Sequence, residues 1–101
     1  MFIYNITIKV NRPISDQWMK WQMEEHIPDI MATELFNDYK VYRLHDQDDS
    51  ESLTFIFQFH TSDRNNYDQY IKEHAPRLRE KTFQKWRDGF IAFRSLLETV
   101  Q

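Results

Sequence analysis

Positions 2–10 alternate in polarity. Phe2, Tyr4, Ile6, Ile8 and Val10 fall on one side, and Ile3, Asn5, Thr7 and Lys9 fall on the other. A period of two in β-branched and aromatic residues predicts a strand with one wholly apolar face. Asn11, Arg12 and Pro13 close it. The period then changes. Met19, Met23, His26 and Ile30 stand at i, i+4, i+7 and i+11, which is one face of a helix. Ser15 is the predicted N-cap, Asp16 suits the positive helix end, and Ile14 and Met19 occupy the staple positions. Pro28 removes a backbone donor and disfavours helical geometry at Ile27. The helix is therefore predicted to run to about His26 and to break or kink there, with a short turn through Met31. Trp18 and Trp21 lie roughly 150° from the methionine stripe, at about 100° per residue, and form a second apolar face.

Residues 39–45 alternate less cleanly and predict a second strand. The run 46–51 is a polar hairpin loop. Residues 53–59 predict a third strand, with Leu53, Phe55, Phe57 and Phe59 on one face and Thr54, Ile56, Gln58 and His60 on the other. A second helix follows, capped by Ser62 or Asp63. Its stripe of Tyr67, Ile71, His74 and Leu78 repeats the spacing of the first, and Glu73-His74-Ala75-Pro76 repeats Glu25-His26-Ile27-Pro28. It too breaks at its proline, then resumes through Leu78, Phe83 and Trp86 to about Arg87. Asp88 and Gly89 supply the turn into a fourth strand over 90–97.

The order is strand–helix–strand, twice. It predicts one ferredoxin-like βαββαβ domain over 1–101, of the α+β class. Its four-stranded antiparallel sheet has order 4-1-3-2, and both helices cover the face carrying Tyr4, Ile6, Phe55 and Phe57. Nothing in the chain covers the other face. Ile3 and Ile56 lie there among Asn5, Thr7, Gln58 and His60, and the fourth strand adds either Phe93 and Leu97 or Phe90 and Leu96. A half-apolar open sheet predicts a partner. A second copy meets the need with one surface, so a twofold homodimer through the open face is expected.

Composition narrows the field. At 101 residues one domain is expected. Eight Phe, five Tyr and three Trp supply more aromatic surface than a small core requires. The formal net charge of −3 offers no general attraction to nucleic acid or an anionic membrane, and the basic residues of the second helix are diluted by Glu73, Glu80 and Asp88. With no Cys, disulfides and thiolate metal sites are excluded. The N-terminus lacks the basic and apolar regions of a signal peptide, and no apolar run approaches the ~20 residues of a membrane span. A cytoplasmic protein is expected. The acidic run 46–51 lacks the glycine and spacing of a calcium loop.

Five segments carry a family resemblance: 2–7 (Phe-Ile-Tyr-Asn-Ile-Thr), Glu24 to Pro28, Met31-Ala32-Thr33, Glu73 to Arg79, and 90–98. Together they resemble the bacterial domain-of-unknown-function family 4286 over nearly the whole chain. The resemblance implies a member of the dimeric α+β barrel group, in which two ferredoxin-like sheets pack face to face. It implies no activity, substrate, cofactor or catalytic residue.

The candidate chemistry is sparse. His26 and His74 read either as acid/base or ligand histidines or as buried residues that bond a backbone carbonyl and help each helix stop. They cannot share a metal, because antiparallel helices of about twelve residues separate their ends by ~18 Å, and no metal or other cofactor is expected. Trp18 and Trp21 are candidates for a ligand cleft or, with Ile3 and Ile56, for an interface. The first reading is a binding or structural module without assigned activity that takes an unknown small molecule at most. The alternative is a monooxygenase-like small-molecule enzyme with its cleft between helices and sheet. By fold-level analogy with haem-degrading members of the barrel group, Asn5, Tyr67 and His74 are its cofactor-binding candidates.

Overall fold

The computed structural model describes residues 1–101. Strand β1 (Phe2–Asn11) runs through a single 3₁₀ turn (Arg12–Ile14) into helix α1 (Ser15–Trp21). A π turn (Gln22–His26) joins α1 to α2 (Ile27–Met31). Strands β2 (Asp38–Arg43) and β3 (Ser52–Thr61) form the central hairpin. Helices α3 (Arg64–Glu73) and α4 (Ala75–Trp86) lead to β4 (Phe90–Glu98).

The sheet has order β2-β3-β1-β4, and all three pairings are antiparallel. This is the ferredoxin-like topology that the alternation predicts. Register places each strand's faces. Opposite Tyr4, Ile6 and Ile8 of β1 lie Phe59, Phe57 and Phe55 of β3 and Leu96, Arg94 and Ala92 of β4. The helices pack on this face. Its core joins Tyr4, Ile6, Phe57 and Phe59 to Trp18, Ile27, Ile30, Tyr70, Ala75 and Leu78. No helix is long and apolar enough to cross a membrane.

Several local expectations need correction. Ser15 is not a side-chain cap. It opens α1, and its hydroxyl donates to the Arg12 carbonyl, so the 3₁₀ turn rather than a side chain guides the chain into the helix. Asp63 does cap α3, its side chain accepting from the Asn65 amide. The first helical segment does not break at Pro28. Backbone angles stay helical through His26 and Ile27, and the Ile27 amide reaches back to the Gln22 carbonyl, a five-residue step. The wider turn takes up one extra residue just ahead of the proline, which has no amide to offer. The left-handed residue after α4 is Arg87 (φ 52°), not Gly89. Gly89 sits close to its neighbours: a Cβ there would lie 2.5 Å from Ile14 Cδ1, which would have to swing aside, and 3.0 Å from the Trp86 carbonyl oxygen.

The largest correction is the phase of α1. The stripe faces the core only in part: Ile30 is buried and Met19 packs half-buried against the core, but Met23 is exposed. The buried positions are Trp18, Trp21, Gln22, Ile27 and Ile30. Trp18 is fully enclosed, with its ring edge-on to Phe57 and tilted on Phe55 at 5.8 and 5.9 Å. It is a core residue, not part of a ligand cleft or a subunit contact.

Candidate functional site

The uncovered face of the sheet is the first of two surfaces that chemistry points to. Pairing puts Ile3, Asn5, Thr7 and Lys9 of β1 beside Ile56, Gln58 and His60 of β3, and beside Ile91, Phe93, Ser95 and Leu97 of β4. Of the two alternatives for the fourth strand, Phe93 and Leu97 are the residues on this face. Phe93 is 65% exposed, Ile91 58% and Leu97 42%, and Tyr42 of β2, opposite Ile56, is 44% exposed. Ile3 and Ile56 are half-buried between them. Across the centre, the Gln58 amide donates to Asn5 Oδ1 at 3.1 Å. Close by, His60 Nε2 is enclosed without a hydrogen-bond partner.

The second surface lies on the helical side. A cavity of about 30 Å³ sits between the sheet and the two helical segments, with room for a water or two. Its floor is apolar: Ile6, Ile8, Phe57, Phe59, Ile30 and Leu78. Its polar members come from four elements. Gln22 and His26 lie on the π turn, Tyr70 on α3, Arg79 and Thr82 on α4, and Arg94 on β4. Arg79 Nη2 donates to the Tyr4 hydroxyl at 3.1 Å. The Thr82 hydroxyl donates to the Leu78 carbonyl at 2.9 Å and lies 3.4 Å from His26 Nδ1. Because that hydroxyl proton is committed to Leu78, the contact needs the proton on Nδ1 of His26, which leaves Nε2 an acceptor.

Burial holds the His26 pKa down at about 4; Asp29 opposes the shift, and Lys81 and Arg94 add to it. The imidazole is therefore neutral near pH 7. Its ring stacks on Trp21 at 5.2 Å, and Trp21 meets Trp86 edge-on. Burial also raises the Tyr70 hydroxyl above its usual range. Tyr4 adds to that shift, while Arg79, Arg94 and Arg77 oppose it.

His74 has different surroundings. It sits half-exposed at the junction of α3 and α4, stacked on Tyr70 at 6.2 Å, with Nδ1 3.2 Å from the Arg77 guanidinium. Neither histidine's side chain bonds a backbone carbonyl in the manner expected of a helix-stopping residue. Nor do the haem candidates come together. Tyr67 packs edge-on against Tyr4 on the helical face, and His74 is on that side too, whereas Asn5 is on the opposite face of the sheet. No group of three or more His, Asp or Glu side chains is placed to hold a metal ion.

Sequence reasoning missed Gln22, Tyr70, Thr82, Arg79 and Arg94. A signal for the first two was present. Gln22, Ile27 and Ile30 stand at i, i+5 and i+8, and Tyr70, Ala75 and Leu78 repeat that spacing in the second copy.

These features define a ferredoxin-like α+β domain with one helical face and one open face. The chain belongs to the domain-of-unknown-function family DUF4286, whose family model matches residues 1–100. A search of curated proteins finds no match. Solved structures share the fold at low identity. An ethyl tert-butyl ether d (EthD) family protein from Bacillus halodurans is 14% identical, with a TM-score of 0.69 and 99% of this chain and 100% of that one covered. SnoaB, a cofactor-independent oxygenase from Streptomyces nogalater, is 10% identical, with a TM-score of 0.65 and 99% and 94% covered. A dimeric ferredoxin-like protein from an uncultured marine organism is 11% identical, with a TM-score of 0.62 and 99% and 96% covered.

Proposed function

We propose that this protein works as a homodimeric α+β barrel, a binding or structural module in which the open sheet faces of two copies close on each other. The observation that carries the reading is the row of exposed apolar side chains on that face, Ile91, Phe93, Leu97 and Tyr42, flanking Ile3 and Ile56. Apolar area left in water costs about 25 cal/mol per Å². Four strands ~4.8 Å apart and six to ten residues long present roughly 550 Å² per copy, or about 1,100 Å² in a pair, which is enough for a stable contact. Burial of the Asn5–Gln58 pair in that contact lets it meet its twofold copy or hold a water. The fold shared with a dimeric ferredoxin-like protein supports the same assembly.

Sedimentation equilibrium at micromolar concentration tests it. Twice the chain mass is expected, and Ile56→Asp, which puts an unpaired charge in the contact, yields monomer or unfolded chain. A clean monomer mass for the native chain sinks the reading.

The second reading, a monooxygenase-like small-molecule enzyme with its cleft between helices and sheet, draws support from the cavity's position and from the neutral imidazole of His26. Oxygen uptake with a panel of quinols tests it. Uptake lost in His26→Ala supports the enzyme, and none above the protein-free rate removes it. We propose no haem for either reading. A saturable Soret band on hemin titration, lost in His74→Ala, overturns that.

A further inference from the structure

We propose that the cavity on the helical side is the deep end of a binding site for a short-chain organic carboxylate, with Arg79 and Arg94 holding its anionic head. The site is distinct from the dimer contact, because the sheet separates the two, and it does not depend on that contact.

Three observations point to an anion. First, the structure contains three ion pairs, Arg43–Asp49, Arg64–Asp68 and Lys81–Asp29, and neither Arg79 nor Arg94 belongs to one. Second, no carboxylate lines the cavity, although the chain as a whole is acidic. Third, both guanidiniums border the same small volume, Arg79 from α4 and Arg94 from β4. Arg79 gives one N–H to the Tyr4 hydroxyl, and its other donors stay free. Planar guanidiniums match a carboxylate in geometry and charge, and the match is strongest at the edge of a low-dielectric pocket.

The shape narrows the class. Arg79 and Arg94 are exposed and stand at the rim, whereas the floor is aliphatic and aromatic. A ligand fitting this gradient has a charged planar head and a short apolar tail. The enclosed volume of about 30 Å³ takes a tail of one or two carbons. His26, neutral and bonded through Nδ1 to Thr82, adds no competing charge.

The test is titration of the ¹⁵N-labelled full chain with sodium propionate at fixed ionic strength, followed by two-dimensional NMR. Propionamide and sodium sulfate are the controls. Saturable shifts at residues 22, 26, 70, 79 and 94 are expected with propionate and not with propionamide, with sulfate weaker. Arg94→Gln and Arg79→Gln each weaken propionate by about tenfold or more. Both side chains are exposed, and an otherwise unchanged spectrum shows that each variant folds. Shifts that never saturate, that are equal for propionamide, or that survive both substitutions overturn the site. Sulfate shifts as large as those of propionate overturn the carboxylate class.

Discussion

The two copies of the Glu-His-x-Pro segment solve one problem in two ways. Each must carry the chain past a proline while keeping core residues at i, i+5 and i+8 on the sheet. A regular helix offers i+4 where these copies need i+5, so each must absorb one residue. In the first copy the π turn absorbs it, the helix stays continuous, and His26 is carried inward against Trp21 and Thr82. In the second, His74 leaves helical geometry (φ −121°, ψ −39°), its amide still closes on the Tyr70 carbonyl, and a new helix starts with Pro76 in its first turn. Proline is tolerated there because the first-turn amides have no intrahelical partner. His74 is left half-exposed beside Arg77. One sequence signature thus yields a buried neutral imidazole at a cavity in one copy and a surface junction in the other. What differs is the neighbour: Trp18 and Trp21 are buried in the first copy where the second has the half-buried Asn66 and the exposed Gln69.

The sharpest way to break the comparison is to remove one of those tryptophans. Trp18→Ala should cost about 3–5 kcal/mol by urea unfolding, as for other buried aromatics. Asn66→Ala, at the matching place in the second copy, should cost under about 1 kcal/mol, since its side chain makes one long bond, to the Thr61 hydroxyl at 3.4 Å. Equal losses would mean that the indole is not what distinguishes the copies.

Deleting Glu24 should convert the π turn to a regular helix, which then demands at Pro28 an amide that proline lacks, at about 3 kcal/mol. Deleting Glu24 together with Pro28→Ala should recover most of that, and a double-mutant cycle reads the coupling. A deletion that costs the same with or without Pro28 would refute the account of the π turn.

Acid titration tests the burial of His26. The folded pKa of His26, about 4, lies below its unfolded value of 6.5, so the unfolded chain takes up the proton first as pH falls. Stability from this group is whole above pH 6.5 and declines by about 3 kcal/mol as pH falls to 4. Burial sets the size of the effect, with the charge of Asp29 opposing it and those of Lys81 and Arg94 adding to it. His26→Gln should flatten that part of the profile. A slope unchanged in the variant would contradict the burial of the imidazole.

The smallest effect is expected at Lys81, whose ammonium bonds Asp29 at 2.8 Å on the surface and is raised in pKa by that carboxylate. Lys81→Gln should leave the melting temperature almost unchanged. A large drop would show that the pair braces α2 against α4.

The alternation of β1 and β3, and the doubled strand–helix–strand order, determined the fold, the strand order and the existence of an open face. Period two assigns each strand's faces with no tertiary information. The repeat likewise announced two related helical segments. The sequence did not determine which face of each segment turns inward. Periodicity read Met23 as core because it assumed 3.6 residues per turn throughout, and the π turn violates that assumption. The cavity's polar set was out of reach for another reason. Gln22, Tyr70, Arg79 and Arg94 lie on four different elements, Gln22 in the other half of the chain, and nothing local records that they line one cavity. The choice between Phe93 with Leu97 and Phe90 with Leu96 was also settled in three dimensions, because the register of β4 on β1, not its own alternation, decides which side of the sheet each residue occupies.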